Sequence, residues 1–200
     1  MTASPHSILE FWFGEPADES LVASRQAALW WQKQPALDAL IKSRFEALLE
    51  SAMSHELEHW LLSAQGRLAL IILLDQFPRN MYRDTAAAFA CDQRAREYCL
   101  VGLEQGDDLR LTPLQRVFFY LPLEHAEDRD LQQRSVALYQ SLVQSTRSAG
   151  GADLSSYLDF AIKHQQIIER FGRFPHRNSI LGRVSSAQEL AFLTQPGSSF

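Results

Sequence analysis

The densest group of chemically capable side chains is a set of arginines near the C-terminus. Four arginines fall within fourteen residues that contain no aspartate or glutamate: Arg170, Arg173, Arg177 and Arg183. Because guanidinium forks match the paired oxygens of carboxylates and phosphates, this concentration in an acidic chain indicates a focused anion site. The alternative is structural, with the arginines capping helix ends or pairing with the acidic residues Glu124, Glu127, Asp128 and Asp130.

Three histidines are candidates for proton transfer, and they are His125, His164 and His176. His164 lies on the apolar face of its predicted helix, where a histidine is most often a core residue with its hydrogen bonds satisfied. His125 stands among acidic neighbours, which favour the charged form of an imidazole in either a catalytic or a structural role. The three positions match no established zinc spacing, so we expect no metal ion and no cofactor.

Asp75 follows directly after the longest apolar run of the chain, residues 68–74. A charge in this position is expected at the margin of the core, where burial requires a partner. Arg79 is four residues further on, but Pro78 is expected to break the helix, so an i,i+4 pair cannot be assumed. Asp75 therefore either locks this corner structurally, or acts as a base or orients a histidine.

Residues 77–80 (FPRN) are echoed by residues 174–178 (FPHRN), and each segment is followed by a further arginine, Arg83 and Arg183. Weak repeats of this kind are typical of stacked helix pairs, although proline and asparagine also recur in turns by chance. We refer to the two segments as the Phe-Pro corners. If both face one cleft, they bring arginines from distant parts of the sequence together.

Apolar residues recur at helical spacing along most of the chain, for example through residues 37–52, and no segment shows clean two-residue alternation. Residues 112–115 (TPLQ) and 186–189 (SAQE) are typical helix starts, and Gly172 is a natural helix end. The sequence predicts an all-α protein of about eight to ten helices. We assign residues 1–195 to a single helical domain and residues 196–200 to a short tail that Phe200 could pin.

Composition excludes several classes of protein. The chain has 200 residues, 12 Phe and a net charge of -5, which argues against disorder and against general binding to nucleic acid. The N-terminus lacks the basic segment of a signal peptide, and seven apolar residues cannot cross a bilayer, so we expect a cytoplasmic protein that does not bind membranes. Cys91 and Cys99 match no redox or zinc motif, and the sequence predicts two buried free thiols.

Residues 73–80 (LLDQFPRN) and 170–178 (RFGRFPHRN), with the shorter block ILEFWFG at 8–14, resemble domain-of-unknown-function family 924 over nearly the whole chain. The resemblance implies a tetratricopeptide-like α-α superhelix and brings no established activity. The family's motif residues correspond here to Asp75, Arg79, Asn80, Asp92, His125, His164, Arg173, His176, Arg177, Asn178 and Arg183. Ala126 departs from the family pattern, which tends to have a small hydroxyl residue there, and this weakens any serine–histidine arrangement at that point.

Two functions fit these observations. In the first, a polar cleft binds a phosphorylated metabolite or a carboxylate, with hydrolase or transferase chemistry as an extension. The proton-handling residues would be His164, His176 and Asp75, and the ligand-binding residues would be Arg79, Asn80, His125, Arg173, Arg177, Asn178 and Arg183. In the second, the helical fold is a protein-interaction module that binds a peptide, and the charged motifs only hold the scaffold together.

Overall fold

The computed structural model describes residues 4–15 and 17–198, and within these ranges it contains helices and no β-strand. The predicted all-α class is confirmed, and the tetratricopeptide-like superhelix stays a prediction. The α-helices are α1 (Pro5–Phe13), α2 (Glu19–Trp31), α3 (Pro35–Met53), α4 (Ala64–Ile71), α5 (Phe77–Met81), α6 (Asp92–Glu104), α7 (Pro113–Glu124), α8 (Arg129–Ser148), α9 (Ser155–Phe171) and α10 (Ala187–Leu193).

The longest apolar run forms the centre of the fold, as predicted. Every residue from 66 to 78 is buried, because α1, α6 and α7 pack around α4. The chain passes from α4 into a π-helical turn, Ile72–Gln76, and then directly into α5. The expectation that Pro78 breaks the helix is wrong. Pro78 lies in the first turn of α5, where its missing N–H costs nothing, and the π turn connects the two helices.

Local capping chemistry sets several helix ends. Thr112 and Gln115 form a reciprocal capping box at α7, and Ser186 and Glu189 form another at α10, both as predicted. Gly172 ends α9 in the left-handed conformation with φ 71°, which a side chain would disfavour. This reversal directs the chain after α9 back across the ends of α7 and α6.

The segment after α9 carries the second Phe-Pro corner as a short 3₁₀ helix, Pro175–Arg177, followed by α10. A small apolar cluster of Ile167, Ile168 and Phe174 joins this segment to α9. The two corners thus differ in local structure, since the first is part of a continuous helix and the second is a 3₁₀ turn. Within the predicted tail, Ser198 is buried and its hydroxyl donates to the Leu193 carbonyl oxygen, while Phe200 lies outside the described residues.

Among the described residues, no helix combines the length and the hydrophobicity that crossing a bilayer requires. Cys91 and Cys99 are both buried free thiols, as predicted. Burial raises the pKa of both thiols.

Candidate functional site

A buried carboxylate and a histidine form the centre of the candidate site. Asp75, in the π turn, is fully buried, and its Oδ1 lies 2.9 Å from Nδ1 of His125 at the C-terminal end of α7. Gln76 Nε2 donates to the other oxygen of Asp75 at 2.6 Å. Burial alone would raise the pKa of Asp75, but the Arg79 charge together with the charge and hydrogen bond of His125 and the hydrogen bond of Gln76 outweighs it and holds that pKa well below its usual range. Asp75 is therefore an ionised carboxylate that accepts hydrogen bonds from its neighbours.

Arg79 connects this pair to α6. Its two terminal nitrogens donate to the two oxygens of Asp92 at 2.8 and 2.9 Å, and Nη1 lies 3.4 Å from Asp75 Oδ1. Nη1 also donates to the Asp75 carbonyl oxygen. The i,i+4 pair that could not be assumed from the sequence is present, because the helix continues through Pro78.

Arg177 reaches the same place from the second Phe-Pro corner. Its Nη1 donates to the His125 carbonyl oxygen at 3.1 Å and lies 3.7 Å from Asp92 Oδ2, which Arg79 already occupies. The guanidinium lies over the rings of Phe89 and Phe174, at 4.8 and 4.4 Å from their centres. The side chains of Arg79 and Arg177, nearly 100 residues apart in sequence, therefore converge rather than pointing to opposite surfaces.

Arg177 is poorly compensated for a buried charge. Its side chain is only 8% exposed, and its Nε is sealed from solvent with no hydrogen-bond partner among the described residues. Burial and the neighbouring Arg79 charge lower the pKa of Arg177 to about 10. We call Asp75, Arg79, Asp92, His125 and Arg177 the central cluster.

A second buried group lies next to the central cluster. Oε1 of Glu124 is 3.0 Å from Nδ1 of His164, which also contacts the Phe160 carbonyl oxygen at 2.8 Å. Burial raises the pKa of Glu124 to about 8, and burial together with His125 lowers the pKa of His164 to about 3. Both groups are thus neutral at pH 7, so their contact is a hydrogen bond between neutral partners.

Proton positions at Glu124 follow from its neighbours. The single O–H of Tyr139 lies 2.8 Å from the Val117 carbonyl oxygen, and the same hydroxyl hydrogen-bonds Glu124. A hydroxyl has one proton, so when that proton goes to the carbonyl, the carboxyl group of Glu124 must be the donor to the Tyr139 oxygen. Donation by Glu124 requires that it is protonated. A bond donated by Tyr139 instead lowers the pKa of Glu124, and burial outweighs that effect.

His176 lies at the edge of the site. Its ring centre is 5.7 Å from that of Phe174, and the side chain is partly exposed. Burial and the Arg177 charge lower the pKa of His176 to about 4, so the imidazole is neutral at pH 7.

Three of the predicted ligand-binding residues lie in a different ion network. Arg183 donates to both oxygens of Glu127 at 2.6 and 2.9 Å, and Arg173 donates to both oxygens of Glu189 at 2.7 and 2.9 Å. Asn178 accepts from Arg183 Nε at 3.0 Å and donates to Glu189 at 3.3 Å. These guanidinium groups already hold carboxylates, and they tie α10 and the second corner to the end of α7.

Asn80 belongs to a third group. Its Nδ2 donates to Asp38 Oδ1 at 3.0 Å, and Arg83 binds the same carboxylate at 2.6 and 3.0 Å. Asn80 and Arg83 therefore fasten α5 and the turn after it to α3. The structure brings Arg79, but not Asn80, into the central cluster.

Comparison with known proteins assigns the chain to a family. The model for a family described as "Bacterial protein of unknown function (DUF924)" matches residues 8–197. The chain belongs to this family. It is also similar to the solved structure of a protein of unknown function, ATU0120 from Agrobacterium tumefaciens, at 39% identity and a TM-score of 0.80, covering 94% of this chain and 96% of that one. No curated protein matches the chain.

Membership in the DUF924 family confirms the resemblance seen in the two long motifs and supplies no reaction. Asp92 and Phe89 both contact the two converging arginines. Neither residue indicated a function by its type or spacing, and only the resemblance to the family pointed to this pair. Glu189 and Asp38 were missed as well, because each pairs with an arginine from a distant segment. Only their positions in the fold show these partnerships.

The described residues contain no group of three His, Cys, Asp or Glu side chains that could hold a metal ion. His125 and His164 have ring centres 6.2 Å apart, but no third ligand completes a metal site with them. Cavities of about 560 and 190 Å³ are lined by residues outside the central cluster. The central cluster is thus a largely buried polar site with a narrow exposed edge.

Proposed function

We propose that the central cluster binds a small anion through Arg177, in keeping with the anion site inferred from the sequence. The observation that carries the proposal is the buried guanidinium of Arg177. Among the residues that the structure describes, its Nε has no partner and its one hydrogen bond goes to the neutral carbonyl of His125. The nearest carboxylate, that of Asp92, is 3.7 Å away and already gives both oxygens to Arg79, so the Arg177 charge is only partly compensated. Burying such a charge is costly, and costs of this kind are typical of binding sites. A bound carboxylate or phosphate would supply the missing charge.

Arg177, rather than Arg79, would hold the ligand because Arg79 already has a carboxylate partner. Asp92 gives both of its oxygens to Arg79 at hydrogen-bond distance and lies 3.7 Å from Arg177. Since Nη1 of Arg177 is used by the His125 carbonyl, the edge formed by Nε and Nη2 remains. Two parallel N–H donors on one edge fit the two oxygens of a carboxylate or phosphate.

The two aromatic rings over the Arg177 guanidinium, those of Phe89 and Phe174, differ in how firmly they are held. Phe174 is fully buried, and its backbone N–H and carbonyl are held by Glu127 and Arg183. Phe89 is only half-buried and ends a one-turn 3₁₀ helix, Ala86–Phe89, that lacks a side-chain cap. We infer that the Phe89 ring, rather than that of Phe174, moves when an anion enters.

A thermal-shift experiment with inorganic phosphate, citrate and succinate tests the proposal, with sodium chloride at matched ionic strength as the reference. A ligand at 100 times its Kd adds about 2.7 kcal/mol, which raises the Tm of a protein of this size by roughly 5–11 °C. We expect one of these anions to produce such a shift in the wild type and not in Arg177→Gln. The matched control is Arg173→Gln, which should retain the shift because Glu189 occupies that guanidinium.

Two results would overturn the proposal. If Arg177→Gln shifts as the wild type does, the anion acts elsewhere, or acts as an excluded salt on the whole protein. If none of the anions shifts the wild type, the Arg177 guanidinium does not bind an anion of these classes, and the interaction-module hypothesis moves ahead of it.

A further inference from the structure

The hydrogen bonds of His125 fix its tautomer. Asp75 is an ionised carboxylate, which accepts hydrogen bonds and cannot donate them. Its Oδ1 is 2.9 Å from Nδ1 of His125, so the proton of the imidazole must be on Nδ1. A neutral imidazole carries one proton, and Nε2 is consequently a lone-pair acceptor.

His125 is more exposed than its carboxylate partner. The His125 side chain is 14% exposed, whereas that of Asp75 is 1% exposed. Nε2 has no hydrogen-bond partner among the described residues, and it is not one of the atoms sealed from solvent. The histidine therefore presents an unoccupied base to the surface, with its carboxylate partner behind it.

The groups around His125 keep it neutral. Asp75 from the π turn, Arg79 from α5, Arg177 from the second corner and His164 from α9 all face the ring or lie close to it. Burial and the Arg79 charge lower the pKa of His125 against the opposing effect of Asp75. At neutral pH the imidazole is ready to accept a proton.

The same residue borders the proposed anion site. Nη1 of Arg177 donates to the carbonyl oxygen of His125 itself at 3.1 Å. The arginine proposed to hold the anion is thus in direct contact with the backbone of His125. A histidine held by a carboxylate next to a cationic anchor is an arrangement that suits general-base chemistry on an anionic substrate.

The geometry points to His125 Nε2 as the proton acceptor for hydrolysis of an anionic ester or amide held by Arg177, with Asp75 as its positioning residue. In that step Nε2 takes a proton from a water molecule while the water oxygen forms a bond to the electrophilic carbon or phosphorus. The bond to the leaving group breaks with its electron pair, and the leaving group then receives the proton from Nε2. The choice of an anionic substrate rests on the proposed function, whereas the protonation and hydrogen bonding of His125 do not. It replaces His164, which is almost fully buried, as the principal proton acceptor.

Carbethoxylation with diethylpyrocarbonate, read for each histidine by mass spectrometry, tests the inference without a known substrate. The reagent attacks unprotonated, accessible imidazole nitrogens. We expect the reaction rate of His125 to decline less between pH 7.5 and 6 in the folded protein than in the unfolded chain, because its pKa is lowered in the fold. In the urea-unfolded chain, the rate for the same residue should fall over this range, as it does for an ordinary imidazole of pKa ~6.5. Exposed His59 serves as the reference for reagent dose.

Asp75→Asn tests the positioning role. Loss of the carboxylate should slow carbethoxylation of His125 relative to that of His59, because the Nδ1 proton is then no longer held by a charged acceptor. If that variant does not fold, a two-bond ¹H–¹⁵N spectrum of the wild type decides the question, because it shows which ring nitrogen carries the proton. A proton on Nε2, or an unreactive His125 beside a reactive His59, would overturn the inference.

Adding phosphate to the same reaction separates the two proposals. Protection of His125 by phosphate in the wild type, but not in Arg177→Gln, supports both. A reactive, Nδ1-protonated His125 that no anion protects would remove the proposed anion site while leaving the histidine–carboxylate pair intact.

Discussion

The clearest energetic consequence of this structure concerns the buried carboxyl group of Glu124. Burial raises its pKa from 4.5 to about 8, whereas in the unfolded chain the group regains its ordinary pKa. Between these two values the unfolded chain has lost the proton and the folded protein has kept it. The free energy of unfolding must therefore fall as the pH rises from 4.5 to 8. Replacing Glu124 with Gln removes the ionisation and keeps a donor for Tyr139.

The magnitude can be worked out from these values. A proton bound only in the folded state changes the free energy of unfolding by about 1.4 kcal/mol per pH unit. From pH 5.5 to 7.5, the wild type should lose about 3 kcal/mol of stability relative to Glu124→Gln. His164 and His176 contribute in the opposite sense below their ordinary pKa, because they are neutral when folded and protonated when unfolded. Both proteins share these histidines, so the difference isolates Glu124.

Urea unfolding, followed by circular dichroism in half-unit steps of pH, measures this difference. Glu127→Gln is the matched control, three residues along the chain. Burial alone would raise the pKa of Glu127, but its hydrogen bonds with Arg183 lower it, so its stabilising contribution is present throughout this range and is lost only at lower pH. The difference between the wild type and Glu127→Gln should therefore stay constant from pH 5.5 to 7.5.

A constant difference between the wild type and Glu124→Gln over the same range would refute the reasoning. It would mean that Glu124 is ionised in the folded protein and that His164 beside it carries a positive charge. The proton assignment between Tyr139 and Glu124 would then be wrong as well.

Arginine and cysteine chemistry provide three further tests. Without ligand, Arg177→Met should leave the Tm unchanged or raise it, because a poorly compensated buried charge is removed. Arg183→Met should instead cost about 1–3 kcal/mol and lower the Tm by roughly 2–12 °C, as measured by calorimetry. An equal drop in both variants would indicate that both arginines are structural. Phe89→Ala should accelerate modification of Arg177 by phenylglyoxal, read by mass spectrometry, and an unchanged rate would show that Phe89 does not limit access to Arg177. Cys91 and Cys99 should not react with Ellman's reagent until the protein unfolds, and rapid reaction of the native protein would contradict their burial.

The helices could be predicted because their signals are local. Each signal depends only on residues close to it in the sequence. Examples are the capping boxes at Thr112 and Ser186, the glycine after α9 and the apolar run before Asp75. Their geometry does not depend on the rest of the fold. Only the effect of Pro78 was misjudged, since the π turn allowed the helix to continue.

The site could be predicted only in part, because it depends on pairings between distant segments. In the sequence, Arg173 and Arg177 look equivalent. After Gly172 the chain reverses, so Arg173 binds Glu189 on α10 and Arg177 turns towards Asp92. Nothing in the sequence shows that Arg173 binds both oxygens of a carboxylate, whereas Arg177 hydrogen-bonds a carbonyl oxygen. The burial that sets the proton states is equally a property of the packed helices.

The binding role of Arg177 is the central claim, and locating a bound anion tests it most directly. Crystals of the wild type and of Arg177→Gln, soaked in selenate, would show bound anions through the anomalous scattering of selenium. We predict a selenate oxygen at about 3 Å from Nε or Nη2 of Arg177 in the wild type, with Phe89 displaced, and no peak there in the variant. Selenate found only at exposed side chains, with Arg177 still enclosed by Phe89 and Phe174, would contradict the account.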